Sequence, residues 1–180
     1  TEAVKALGPI AYILKARPTL LRDMGAAMSP FNAFMFIQGL ETLQLRMREH
    51  SANGQKVADH LSKHSMVERV SYPGTSSGLP KERADKYLSN GCGGLLGFEI
   101  KGGHEAGKKF INSLEMLYHV ANIGDSRSLA IHPASTTHSQ LNEEELASGG
   151  VSPGYIRLSI GLEHIDDILA DIDQALAKAE

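Results

Sequence analysis

The sequence predicts an α/β fold: four short strands interleaved with helices, forming a sheet covered on one side. Two observations carry this expectation. Short apolar runs closed by glycine and proline alternate with segments whose apolar residues recur every three or four positions. The last such segment is the clearest, with Ile165, Ile168, Leu169, Ile172 and Leu176 on one stripe and Asp166 and Asp167 in the first turn, where the helix dipole favours acids.

Taken in order, Val4 to Leu21 carry Leu7, Ile10, Ile13, Leu14, Leu20 and Leu21, and Pro9 and Pro18 predict an interrupted helix. Met24 to Met28 read as a connector. Ser29-Pro30 is a helix start, a capping hydroxyl followed by proline at the first helical position. From Phe31 the positions Phe34, Ile37, Leu40, Leu43 and Met47, resumed by Val57 and Leu61, predict one long helix or two abutting ones to about Lys63. Strands are expected at Val67–Tyr72, Gly94–Ile100, Tyr118–Ile123 and Tyr155–Ile160. Helices are expected at Lys81–Leu88, around Ala106, Phe110, Leu114 and Leu117, and at Glu143–Ala147.

At 180 residues, with 42% hydrophobic and 22% charged content, the chain has the composition of an ordinary globular domain. A net charge of −3 with interspersed signs leaves no basic stripe for phosphates, so nucleic acid is not an expected partner. The single cysteine, Cys92, excludes an internal disulfide and fits a reducing compartment. Apolar stretches fall far short of the ~20 residues of a membrane helix. No signal peptide is visible, and a cytoplasmic protein is expected. Thr1 lies within a helical pattern and is not methionine, which suggests a fragment of a longer chain.

Several clusters of reactive residue types have ordinary readings. His60 and His64 have the i, i+4 spacing of a zinc clamp but no third ligand nearby, which favours a solvated helix end. His132 and His138 bracket a proline-containing loop with no recognised ligand spacing, so no metal is expected. Gly91-Cys92-Gly93-Gly94 fits no phosphate-loop pattern and precedes a strand, so it reads as a turn.

The final strand is different. Ile156, Leu158 and Ile160 share one face, while Tyr155, Arg157 and Ser159 share the other. Spacing alone favours a solvent-facing Arg157 on a half-buried strand. A lone guanidinium near the turn-rich loop Asn122-Ile123-Gly124-Asp125 also suits two-pronged capture of a carboxylate.

These segments, Asn122 to Asp125, His132-Pro133-Ala134-Ser135-Thr136-Thr137-His138 and Arg157-Leu158-Ser159-Ile160-Gly161-Leu162-Glu163, resemble the pyridoxal-phosphate enzymes of cysteine and methionine metabolism. Within that group the chain looks most like the O-acetylhomoserine sulfhydrylases, over about residues 3–179. The resemblance implies the C-terminal domain of the aspartate-aminotransferase type of fold (fold type I), with a four-stranded, mostly antiparallel sheet and helices on one side. Residues 1–28 would edge the large cofactor domain, and 29–180 would form the small domain with its long linking helix. It implies that Arg157 holds the substrate α-carboxylate with Asn122 beside it, and that the complete enzyme exchanges the acetate of O-acetylhomoserine for sulfide, yielding homocysteine for methionine biosynthesis. Many lyase relatives carry serine in place of Asn122 and methionine in place of Thr136, which favours the sulfhydrylase branch over methionine γ-lyases and cystathionine γ-synthases. A regulatory amino-acid-binding domain is the alternative from another class.

Pyridoxal phosphate itself needs a Schiff-base lysine. In the family it stands in an S-x-x-K motif, and none of the ten lysines here has that setting. No catalytic or cofactor-binding residue is therefore expected within this chain. The cofactor would be bound by an N-terminal part of the same enzyme, assembled as a homotetramer, a dimer of dimers.

Overall fold

A computed structural model describes residues 8–180, which form two compact units divided after Thr42. The first unit contains a helical run over 11–24 (α1) and the helix Pro30–Glu41 (α2). The sequence predicted an interruption at Pro18, but Pro18 does not break α1. The helix passes through it as the π-helical segment Lys15–Leu21, whose wider turns tolerate the missing N–H. The helix ends at Gly25, whose φ of 65° supplies the left-handed cap. Ser29 caps α2, its hydroxyl accepting from the Asn32 N–H at 3.2 Å, with Pro30 at the first position. The expectations resting on Val4 and Leu7 lie outside the described residues.

The second unit, Leu43–Glu180, is built on a five-stranded sheet. Its helices are Leu43–Leu61 (α3), Gly78–Tyr87 (α4), Gly103–Ser113 (α5), Glu143–Ser148 (α6) and Ile165–Ala179 (α7). Its strands are Val67–Ser71 (β1), Leu95–Ile100 (β2), Tyr118–His119 (β3), Leu129–Ile131 (β4) and Tyr155–Ser159 (β5), in the spatial order β1-β2-β5-β4-β3. The α/β class stands, but the expected four-stranded, mostly antiparallel sheet is a mixed five-stranded one: three neighbouring pairs are antiparallel, and β3 pairs with β4 in parallel. The strand absent from the sequence reading is β4. Leu129, Ala130 and Ile131 are all buried, and three consecutive buried apolar residues show no alternation to detect. The third expected strand shortens to Tyr118–His119, although the Val120 N–H still bonds the Ala130 carbonyl at 3.2 Å.

One face of the sheet carries the core. Phe98 pairs with Ile156, and Leu158 lies between Leu96 and Ala130. Burial spacing on the helices matches that face: Val57, Ala58 and Leu61 on α3; Ala106, Phe110 and Ile111 on α5; Ile168, Ile172, Ala175 and Leu176 on α7. Phe98 and Phe110 meet edge to face, centroids 5.4 Å apart. Ile156, Leu158 and Ile160 are fully buried within this cluster. Arg157, between them in sequence, is thereby turned to the opposite face.

Candidate functional site

β5 is the middle strand of the sheet, and Arg157 sits opposite Gly97 of β2 on one side and Ile131 of β4 on the other. Gly97 is needed there because a Cβ would collide with the ring of Tyr155. Arg157 is half-buried. Its one hydrogen bond among the described residues is a long donation from Nη2 to the Asn122 carbonyl oxygen, 3.4 Å. Three other arginines have carboxylate partners: Arg22 with Asp23, Arg69 with Glu99 and Arg127 with Asp125. Among the described residues none lies within ion-pair reach of Arg157. A planar fork of five donors is thus left with a single weak acceptor, a geometry that suits an incoming carboxylate.

The loop that meets Arg157 is ordered by its own polar groups. The Asn122 side-chain oxygen accepts from the Ile123 N–H at 2.9 Å, so the main-chain carbonyl of Asn122, not its amide oxygen, faces the guanidinium. Asp125 accepts from the Arg127 N–H at 3.0 Å, and this bond, with the Arg127 guanidinium, holds its carboxyl below the ordinary range. The Arg127 guanidinium lies over the Tyr118 ring, 4.3 Å from its centroid, and is held above its ordinary value by Tyr118 first and Asp125 second.

The histidines resolve into structural roles. His132 is fully buried. Its Nε2 lies 2.7 Å from the Pro153 carbonyl, an acceptor, so this nitrogen carries the proton. Nδ1 then accepts from the Ser135 hydroxyl at 2.8 Å. Burial pushes its pKa down, although the bond to Pro153 opposes the shift. His138 pairs with the Thr137 hydroxyl, and His60 reaches Asp173 at 2.6 Å. Among the described residues no group of three or more potential metal ligands converges. The Gly91–Gly94 turn is packed against α3: the Gly93 N–H bonds the Ser51 hydroxyl and its carbonyl accepts from Tyr72. Burial, with smaller contributions from Cys92 and Asp59, pushes the Tyr72 hydroxyl up to about 12.

Two polar residues that the sequence reading passed over are His50 and Asn53. Both are buried on α3, where they reach Ile160, Gly161 and Glu163. Their signal was present: the apolar stripe of α3 lapses between Met47 and Val57, where these side chains face inward.

Residues 8–177 match the model of the Cys/Met metabolism PLP-dependent enzymes. The chain belongs to this family. It is 58% identical to an O-acetyl-L-homoserine sulfhydrylase of Leptospira meyeri, over 93% of this chain and 38% of that protein. It is 49% identical to O-acetyl-L-homoserine sulfhydrylase 1 of Thermus thermophilus, over 96% and 41% respectively. A crystal structure of a Campylobacter jejuni O-acetylhomoserine (thiol)-lyase, containing N′-pyridoxyl-lysine-5′-monophosphate, superposes with a TM-score of 0.83 at 45% identity. That match covers 94% of this chain and 40% of the other. The chain therefore spans about two-fifths of the length of these relatives.

The family's chemistry is pyridoxal-phosphate dependent. Every described lysine of this chain is solvent-exposed, and none of the ten has the S-x-x-K setting that the resemblance implies for a Schiff-base lysine. The described residues therefore do not fit the cofactor's anchor.

Proposed function

We propose that this chain is the C-terminal part of an O-acetylhomoserine sulfhydrylase and supplies its substrate-carboxylate grip. The complete enzyme exchanges the acetate of O-acetylhomoserine for sulfide, giving homocysteine. The observation that carries the local role is Arg157, a half-buried guanidinium fixed at the sheet centre and left without a carboxylate partner among the described residues. A flat two-pronged donor fixes both oxygens of an α-carboxylate, and with them the orientation of the adjoining Cα. Arg157 thus orients the substrate, with Asn122 as the neighbouring contact, and moves no proton. The presence of Asn122 and Thr136, and the printed names of the relatives, favour the sulfhydrylase branch over the γ-lyases and γ-synthases.

In this reading residues 1–28 edge the large cofactor domain, and 29–180 form the small domain. The exposed side chains of α2, among them Phe31, Phe34, Phe36 and Leu40, dock on the rest of an enzyme assembled as a cytoplasmic homotetramer.

Arg157→Ala in the complete enzyme tests the grip. Removing one partner of such a charge pair costs about 2–5 kcal/mol, so KM should rise roughly 30-fold or more. Arg157→Lys should recover little, because an ammonium offers no planar fork. A KM near that of the unaltered enzyme in Arg157→Ala would refute the assignment.

A further inference from the structure

Four alternate residues of the motif Arg157 to Glu163 meet the loop after β3 in step. Arg157 donates to the Asn122 carbonyl oxygen at 3.4 Å. Two residues on, the Gly124 N–H donates to the Ser159 hydroxyl oxygen at 3.1 Å. Two further on, the Ser126 carbonyl oxygen and the Arg127 carbonyl carbon occupy the space a Cβ would need at Gly161. Two beyond that, the Ser128 N–H and hydroxyl both donate to the Glu163 carboxylate, at 2.6 and 2.9 Å. Main-chain bonds reinforce the match: Leu162 N–H to the Ser126 carbonyl at 2.8 Å, and Gly161 N–H to the Ser128 hydroxyl oxygen at 2.9 Å.

The motif cannot slide beneath the loop. Leu158 and Ile160 are fully buried, and α3 holds the following turn through Asn53, which donates to the Gly161 and Glu163 carbonyls at 3.2 and 3.1 Å. The loop is therefore referenced to a rigid core through residues that have no other evident task.

We propose that Ser159, Gly161 and Glu163 are positioning residues that hold the loop from Asn122 to Ser128 as the second wall of the Arg157 carboxylate cleft. The inference rests on the reading of Arg157 as the carboxylate anchor and extends it to the rest of the motif. Arginine has a long, flexible stem, and a fixed acceptor at Asn122 selects one arrangement of its fork before substrate arrives. Preorganisation of this kind raises affinity without adding a contact to the ligand. Glycine at 161 is required because the Ser126 and Arg127 backbone, together with the Glu163 carboxylate that the loop holds in place, lies where its Cβ would be.

The test uses the complete enzyme, with KM and kcat measured for Ser159→Ala, Gly161→Ala, Glu163→Ala, Glu163→Gln and Arg157→Ala. The first three should raise KM roughly three- to tenfold, the scale of one or two lost hydrogen bonds, with kcat much less affected. Glu163→Gln keeps an acceptor for the Ser128 N–H and should recover most of the loss. Hydrogen exchange of the amides over 122–128 should quicken in step with KM. Ser159→Ala removes a single oxygen, so it remains informative if Gly161→Ala fails to fold. Unchanged KM in Ser159→Ala and Glu163→Ala, beside a raised KM in Arg157→Ala, would overturn the positioning role alone. Unchanged KM in Arg157→Ala would overturn the anchor reading and the positioning role with it.

Discussion

His132 shows how a residue with reactive chemistry can be spent on structure. Both ring nitrogens are engaged, one donating to Pro153 and one accepting from Ser135, and the ring is fully buried. Protonation would turn the Nδ1 acceptor into a donor aimed at a hydroxyl oxygen and would place a charge where water cannot reach it. Burial holds the folded-state pKa below the unfolded value of about 6.5, so the neutral form's contribution to stability is complete above that value. It is lost as pH falls through 6.5 towards the folded pKa. Thermal unfolding of the complete enzyme at pH 7.5 and 5.5 should show an acid-side loss that His132→Gln lessens; equal losses in both proteins would exclude the effect. Arg157 was legible because one charged residue between buried Ile156 and Leu158 can only face away from the core. The contribution of Asn122 was not: which of its oxygens faces the guanidinium depends on its own side chain bonding the Ile123 N–H, a choice of backbone dihedrals that composition does not reveal.

Among the elements, α7 does more than cover the sheet. Asp171 interrupts its apolar stripe and accepts from the N–H groups of Glu115, Met116 and Leu117 at 2.8, 3.0 and 2.9 Å. The segment after α5 is thereby turned towards β3, which explains why α5 stops at Ser113 although Leu114 and Leu117 continue its spacing. Burial tends to raise the Asp171 pKa, but the three backbone bonds and Gln174 outweigh it, and the net shift is downward. Its stabilisation is present above the unfolded value of about 3.9 and is lost as pH falls through the lower folded value. Asp171→Asn, which replaces one acceptor oxygen by a donor, should cost about 1–3 kcal/mol in denaturant unfolding. A change within about 0.5 kcal/mol would show that these bonds contribute little. α5 and α7 were readable from period alone, since each buries one stripe. The three-residue β4 was not, because its pairing is decided by β3 and β5, which are distant in sequence.

At the scale of the molecule, α2 presents large apolar side chains over most of its surface, which a helix facing water does not do. Together with the two-fifths coverage of the relatives, this leads us to expect that the 180-residue chain by itself shows no visible cofactor absorbance when mixed with pyridoxal phosphate. It should also self-associate on size exclusion. A cofactor-loaded monomer would contradict both expectations. The measurement that bears most directly on the proposed role of Arg157 pairs a change in the ligand with a change in the protein. Binding of an unreactive amino acid and of its amine analogue lacking the α-carboxylate is measured by titration, in the complete enzyme and in Arg157→Ala. If the guanidinium grips the carboxylate, each single change should weaken binding by about 2 kcal/mol or more, and the second change should then cost little, giving a coupling energy of similar size. Penalties that simply add would show that Arg157 and the carboxylate do not meet.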